Sequence, residues 1–483
     1  MADLRDTLQA KWEVGNRFAN YGNALTQMQI RGFRSHANTT IEFHSPITAF
    51  CGLNGTGKST ILQLAAAGFR VPNGVTYYFS RFFIVSAVDP APYRDDARVT
   101  YHYWQKSRVP SQTTITRRTG ADRNRWAGYK RRAERYVCYM GCSAYMPRIE
   151  RGDFLIYGAA GVAVTAQHAV SETTRAWTAQ ILGREYDGME SLDFQSGERA
   201  GKVLRMNRGG VSYAEPHMGF GEGRAAYLVE TLETIPDKSL VLVEEPETSL
   251  HPSAQHKLGH YLMDVSIRRG HQILISTHSE YLLRGLPSKS RLCFHWEGGN
   301  LRQLQGLSAS HAASIMTLGH DKALTVLVED ICAQSVVTEM LRRSDPVFLQ
   351  SVRIVSAGDC EAIATTMTCL RDSGLQVAAV LDGDMPSKPK ENIFALPGGL
   401  PPEKDMFAAA PVITHLEAQY ALVWRDFAAA NNFAQRNHHE WIPQLAVHLS
   451  LAVNVLISEL ARKYAETVDC AALTTLLKES ITR

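Results

Sequence analysis

No apolar run in this chain approaches the ~20 residues a helix needs to cross a bilayer, so membrane insertion is not expected. The first residues, with Asp3, Arg5, Lys11 and Glu13, lack the apolar centre of a secretory signal. Cysteine is sparse: the eight cysteines in 483 residues are scattered, and the closest pair, Cys138 and Cys142, has no second pair to complete a zinc site. Reduced thiols in a cytoplasmic protein are the expectation. Internal repeats, low-complexity tracts and sustained heptads are also missing, which excludes a solenoid and a long coiled-coil arm. The net charge of +3 is too small to declare a nucleic-acid binder by itself. With 45% hydrophobic and 9% aromatic residues the chain is an ordinary globular one, long enough for two or three cored domains.

What is present begins at Ile47. An apolar strand runs into Gly52-Leu53-Asn54-Gly55-Thr56-Gly57-Lys58-Ser59-Thr60, a complete Walker A loop, and the run Ile61–Ala67 supplies the following helix. Glycines let the backbone N–H groups curl around a polyphosphate at the positive helix end. Lys58 is placed for the β and γ phosphates and the Ser59 hydroxyl for Mg²⁺. The expected binding set is Asn54, Gly55, Thr56, Gly57, Lys58, Ser59 and Thr60. Further on, Leu240–Val243 is an apolar strand ending in Glu244 and Glu245, a Walker B pattern in which Glu244 is the metal-side acid and Glu245 the base for water. Ile273–Ser276 is a second buried strand, and it delivers His278 to the same edge, where a γ phosphate can be sensed.

The pattern predicts strands at Thr26–Ile30 and Thr39–Phe43, and an antiparallel subdomain between Thr76 and Gly158, with runs at Tyr77–Phe79, Phe82–Val85, Val99–Trp104 and Thr113–Thr116. Ser171–Leu182 reads as a helix and Asp187–Pro216 as an exposed connection. Strands at Ser239–Val243 and Gln272–Ser276, then Leu324–Val328, Val352–Val355 and Val377–Leu381, alternate with helical segments, the sign of buried parallel sheets. Val412–Thr482 reads as helices, the clearest at Leu445–Tyr464. Within Tyr101–Tyr136 the bases Lys106, Arg108, Arg117, Arg118, Arg123, Arg125, Lys130, Arg131, Arg132 and Arg135 face only Asp122 and Glu134, with Trp104, Trp126 and Tyr129 interleaved. That segment is either a phosphate-contacting surface for DNA or RNA or a solvated face.

Glu329 ends the strand at Leu324–Val328, and Asp382-Gly383-Asp384 ends the one at Val377–Leu381. Parallel strands bring their C-terminal ends to one edge, so the three carboxylates can converge on Mg²⁺ or Mn²⁺ and act on a phosphodiester.

The Walker elements, with Met218-Gly219-Phe220-Gly221-Glu222 ahead of the helix Arg224–Leu232, resemble the ABC-type ATPase heads of the SMC, RecF and OLD (overcoming lysogenisation defect) families; Glu244–Pro252 is closest to the OLD heads. The resemblance implies that Gly219 and Gly221 belong to a signature motif that caps ATP bound to a second protomer, hence a homodimer or higher homo-oligomer. Glu329 with Asp382 and Asp384 resembles the TOPRIM domain, and head plus TOPRIM is the architecture of OLD nucleases, including Gabija-type and retron-associated defence nucleases. The chain departs from the pattern at Met218 and Phe220, where a serine is common, at Glu244, usually aspartate, and at Asp330 and Ala333, usually glycine and an acid. Asp359 or Glu361 can supply the missing carboxylate. Lys388, Lys390 and Lys404 are candidates for the lysine expected near the site, and Met146–Arg148 is where a Q-loop is sought. The expected architecture is α/β: an ABC-type head with an antiparallel β subdomain over 1–320, a TOPRIM domain over 321–410 and a helical region over 411–483. The implied function is an ATP-binding, Mg²⁺-dependent DNA endonuclease or nickase in antiphage defence, with DNA as partner and a second defence protein or a retron-type RNA or DNA as an additional one. The alternative is a nucleotide-sensing or DNA-clamping ATPase whose TOPRIM block serves only interaction.

Overall fold

Strands β1 (Ala24–Phe33) and β2 (His36–Glu42) pair as a hairpin, and β4 (Arg98–Trp104), β5 (Pro110–Arg117) and β6 (Trp126–Ala127) complete an antiparallel sheet of order β2-β1-β4-β5-β6. Its inner residues, among them Met28, Ile30, Val99, Tyr101 and Ile115, are buried, while the alternate positions face out, as period-2 patterning demands. The computed structural model describes residues 3–72, 74–106, 110–118, 125–145, 162–196 and 199–481. Met146–Arg148, Arg108, Asp122 and Arg123 lie outside them.

The second sheet carries the Walker elements. It consists of β3 (Ile47–Gly52), β7 (Val137–Met140), β12 (Leu240–Glu244), β13 (Gln272–Ser276), β14 (Arg291–Glu297) and β15 (Asn300–Gln305) in the order β15-β14-β3-β13-β12-β7. All neighbours are parallel except the β14–β15 hairpin. β3 and β13 are buried at every position because both faces of a parallel sheet are covered, which is why they read as unbroken apolar runs. The helix Lys58–Ala66 packs beneath, and Leu62, Phe50, Leu242 and Leu274 join Met28, Phe33 and Tyr101 of the first sheet in one core.

Asp187–Pro216 is not a connection. It folds as β9 (Gly188–Ser196), β10 (Arg199–Arg208) and β11 (Val211–Ala214), which pair with β8 (Val162–Ala169) in the order β11-β10-β9-β8. The glycines misled the reading: Gly209 and Gly210, with φ of 55° and 77°, make the two-residue hairpin turn between β10 and β11. Leu192, Phe194 and Val203 form one buried cluster, and Leu204 and Met206 pack in another with Tyr186, Met189 and Ala226. Tyr77–Val85 departs from expectation as well, since Phe79–Phe82 is a short helix whose Phe79 packs edge-on against Trp126 and Phe33.

The chain divides into two compact units, Met1–Ala312 and Ala313–Arg483. In the second, β16 (Leu324–Val328), β17 (Val352–Ser356), β18 (Val377–Leu381) and β19 (Ile393–Ala395) form an all-parallel sheet of order β17-β16-β18-β19. Successive residues serve opposite faces: Val326, Val328, Ala378 and Val380 pack with the helix Ile331–Ser344 and the carboxy-terminal helices, whereas Leu327, Ala379 and Leu381 pack with Ile363 and Met367 of Cys360–Asp372. The expected helix Leu445–Tyr464 is two helices, Trp441–Leu449 and Val453–Tyr464, because Ser450 takes a left-handed φ of 55°. The pair meets at 111°, and its apolar residues Leu445, Ala446, Leu456 and Leu460 are buried in the core. Among the described residues no single helix is long and apolar enough to cross a membrane.

Candidate functional site

The carboxyl edge of the central sheet gathers the Walker residues. Gly52, Gly55 and Gly57 all have positive φ, of 132°, 79° and 86°, the curl an anion-cradling loop requires. Behind the loop sits a support that sequence reasoning missed. His36, fully buried at the tip of the β1–β2 hairpin, bonds through Nε2 to the Gly57 carbonyl at 3.1 Å and through Nδ1 to the Thr39 hydroxyl at 3.1 Å. A Cβ on Gly57 would stand 2.3 Å from His36 Nε2. Ser35 adds a bond to the Gly55 carbonyl at 2.6 Å. Asn54 is exposed at the mouth, Thr56 bonds the Leu53 carbonyl at 2.8 Å, and Thr60 is buried in the helix. Lys58 Nζ donates to the carbonyls of Gly52 at 2.8 Å and Leu53 at 3.0 Å, and burial lowers its pKa while Cys51 and Glu245 oppose.

Ser59 Oγ lies 3.4 Å from Glu244 Oε2, so the hydroxyl and carboxylate expected to share Mg²⁺ do face each other. The Tyr139 hydroxyl hydrogen-bonds the other Glu244 oxygen. Glu245 has a φ of 43°, a strained value for a non-glycine residue. Its backbone is held by donation to the Ser276 carbonyl at 2.9 Å and by Arg224, which donates to the Glu245 carbonyl at 2.6 Å. The His278 ring stands 3.7 Å from the Glu245 carboxylate. Burial and then Lys58 keep its pKa below the usual histidine value, with Glu245 opposing, so the neutral ring is favoured. Glu247, which the motif reading passed over, is buried and accepts from the Thr277 hydroxyl at 2.7 Å and the His278 N–H at 2.9 Å. It fixes the turn that aims His278. A glutamate inside a turn between two motifs carries no spacing signal, so only the fold exposes this role.

Gly219 precedes the helix Phe220–Thr234; a Cβ there would meet nothing within 4 Å, and its carbonyl accepts from the Gly223 N–H at 3.0 Å. Gly221 differs: a Cβ there would meet the Ser249 carbonyl at 2.2 Å, so its close approach is to its own chain. Arg224, one turn along, ties this helix to the end of β12.

In the second unit the edge of the parallel sheet joins Glu329 and Asp382: the Asp382 N–H donates to Glu329 Oε1 at 3.1 Å. Asp382 is 8% exposed, and its Oδ1 has no hydrogen-bond partner. Burial, then Glu329, Asp330, Glu403 and Asp384, push its carboxyl up to about 7. Asp384 is thus electrostatically part of the cluster. Asp359 instead caps Cys360–Asp372, accepting from Ala362 N–H at 2.9 Å, and Ala333 is fully buried in the helix Asp330 caps. Glu361, Lys388, Lys390 and Lys404 are solvent-facing to differing degrees, and of these Lys404 acts on His438 at the cluster rim. A buried carboxylate oxygen without a donor, facing several other acids, fits a divalent cation. Glu403 and His439, more than seventy residues downstream of Asp330, join it only through the fold.

The basic segment divides. Arg132 and Arg135 are 5% and 6% exposed. Arg132 donates to the carbonyls of Ala67, Tyr77 and Tyr129, each at 2.9 Å, and lies over the rings of Tyr78 and Tyr129. Arg135 donates to Lys238 O at 2.7 Å, Gln272 Oε1 at 2.7 Å and Ser239 O at 3.2 Å, and burial brings its pKa down to about 9. These two are struts, so at Arg132 and Arg135 the segment is neither a phosphate-contacting surface nor a solvated face. Lys106, Arg118, Arg125, Lys130 and Arg131 are exposed.

Two family models match the first unit. One, described as "AAA domain, putative AbiEii toxin, Type IV TA system", covers residues 164–284, and one described as "AAA domain" covers residues 27–66. Between them they take in Lys58, Ser59, Gly219, Gly221, Glu244, Glu245 and His278. The DNA double-strand break repair Rad50 ATPase of Archaeoglobus fulgidus is 44% identical over 45 residues, 9% of this chain. The match spans 5% of that relative's length. Among solved structures, the SMC head domain from Thermotoga maritima is 17% identical with a TM-score of 0.36, covering 58% of this chain and 98% of that one. The Pyrococcus furiosus Smc head with an extended coiled coil, bound to the C-terminal domain of ScpA, is 14% identical with a TM-score of 0.39, covering 59% and 96%. The family models, both described as AAA domains, and the Walker geometry together make the first unit a nucleotide-binding ATPase unit within an α/β chain.

Proposed function

We propose that the chain is an ATP-controlled, divalent-metal-dependent DNA endonuclease or nickase of the OLD kind, acting in defence against phage. The observation that carries this reading is the pairing of Glu329 with Asp382 at the edge of the second sheet, with a buried, unpartnered Asp382 oxygen between several acids. Bound there, Mg²⁺ or Mn²⁺ would polarise a phosphodiester and lower the pKa of a water. Glu329 holds the Asp382 backbone, which fixes where the Asp382 carboxylate points, and Asp384 completes the negative charge. At the ATPase site Ser59 and Glu244 would hold Mg²⁺, Lys58 would neutralise phosphate charge, and Glu245 would accept the proton of the attacking water beside the neutral His278. Gly219 would approach ATP on a second copy of the chain. Support for DNA as the partner comes from the name of the Rad50 relative, and support for defence from the toxin description of the matched family.

The test is supercoiled plasmid incubated with pure protein and Mg²⁺ or Mn²⁺, with and without ATP. Nicking or cleavage is expected, lost by ~10²-fold or more in Glu329→Ala, Asp382→Ala and Asp384→Ala while ATP binding persists. Lys58→Ala is expected to abolish ATP binding, and Glu245→Gln to keep it but slow hydrolysis by ~10²-fold or more. Cutting by all three carboxylate variants at the wild-type rate sinks the nuclease assignment. No cutting by the wild type together with ATP-dependent DNA retention would favour the clamping ATPase, a reading that Ala333 and the capping role of Asp359 support.

A further inference from the structure

Next to the Glu329–Asp382 pair lies a different set of donors. Glu403, in the first turn of the helix Pro402–Ala408, and His438 and His439, just before Trp441–Leu449, bring one ligand atom each to within 4.8 Å of one another. His439 Nδ1 is 3.1 Å from Glu403 Oε1 and 3.6 Å from Asp330 Oδ2. Glu403 is 3% exposed and its Oε2 is buried without a hydrogen-bond partner. The buried Cys332 thiol faces the same carboxylate.

An ordinary ion pair accounts for only part of this. One imidazole N–H can satisfy one oxygen well, yet here Nδ1 stands between two carboxylates, a second imidazole lies tilted against the first with ring centroids 4.1 Å apart, and a buried oxygen is left over. The segment carrying the histidines is held rigidly. Trp441 stacks parallel to Phe433 with centroids 5.8 Å apart, Trp424 stacks on Phe407 at 3.7 Å, and Asn437 accepts from the His439 N–H at 3.2 Å. Ligand atoms around a four-coordinate ion at about 2.1 Å sit roughly 3.4 Å apart, so small side-chain rotations suffice to close the site.

We infer that Glu403, His438 and His439, with Asp330 in reach, form a second metal site, selective for an imidazole-binding divalent ion such as Zn²⁺ or Mn²⁺ over Mg²⁺. Two nitrogens with one or two carboxylate oxygens match that preference, since Mg²⁺ favours an all-oxygen shell. The two histidines come from the turn before the helix Trp441–Leu449, Glu403 from the helix Pro402–Ala408 and Asp330 from the cap of the helix Ile331–Ser344, so an ion there ties these parts of the unit together.

The experiment uses full-length, metal-stripped protein titrated with Mn²⁺ in the absence of nucleotide, read by pulsed electron paramagnetic resonance. The wild type is expected to show ¹⁴N modulation from bound imidazole. His438→Ala/His439→Ala should lose it, Glu403→Gln should weaken this class of Mn²⁺ tenfold or more, and Asp384→Asn, outside the proposed ligand set, should retain it. Should the double histidine variant misfold, His438→Gln and Glu403→Gln decide. A wild type that binds Mn²⁺ without nitrogen modulation, or modulation that survives the histidine changes, overturns the site. Asp384→Asn separates the two proposals, because a failed nuclease reading would leave the nitrogen signal untouched.

Discussion

Asp382 sits buried among other acids, and that placement raises its carboxyl pKa. An acid whose folded-state pKa stands above its unfolded value stabilises the fold below the unfolded value, and that stabilisation is lost as pH rises through the folded one. With Asp382 moved from 3.8 to about 7, metal-free protein should lose stability in the second unit as pH climbs across that interval. Asp382→Asn should flatten the dependence and gain on the order of 2 kcal/mol at about pH 8. Denaturant midpoints of the second unit's transition, measured in chelator across that range, check this, and an unchanged slope in the variant would refute it. Added Mn²⁺ should reverse the trend, since a cation replaces the proton as neutraliser. Arg131 and Arg132 make a second contrast, between neighbours of like charge. Arg132→Ala removes donors from three buried carbonyls and should cost about 2–4 kcal/mol, visible as a lowered unfolding midpoint. Arg131→Glu should leave stability within about 0.5 kcal/mol and, where the exposed bases contact phosphates, weaken DNA binding and its salt dependence. Equal destabilisation by both changes would contradict the strut.

At the scale of elements, legibility followed burial. Gln272–Ser276, Leu324–Val328 and Val377–Leu381 were readable to the residue because strands covered on both faces must be apolar throughout. β9 and β10 were not, because their buried residues divide between two clusters, Leu192, Phe194 and Val203 in one and Leu204 and Met206 in the other, and charges such as Glu190 and Arg205, paired across the sheet, interrupt them, so neither an apolar run nor a clean alternation shows. The break at Ser450 was invisible, since no glycine or proline marks it. The Walker residues could be read because a phosphate cradle needs its donors within one loop, a constraint written into local spacing. Glu403 and His439 meet Asp330 across long stretches of chain, His36 reaches Gly57 through a hairpin tip, and no local pattern records such encounters. The two family models fall on the first unit alone.

For the whole molecule, the two units hold separate cores, the first around Phe33, Phe50 and Leu242 and the second around Val326, Leu416 and Leu460. Residues 1–312 and 313–483 expressed apart should each unfold cooperatively, with ATP raising the midpoint of the first fragment only. A second fragment that melts without a sigmoidal transition would show that its core is incomplete. Because each unit is one contiguous run and the chain passes between them once, near Ala312, a single crossover in the gene could join this ATPase unit to a different second unit, or this second unit to a different ATPase. The boundary is therefore a place where inheritance can exchange one unit for another without disturbing either interior.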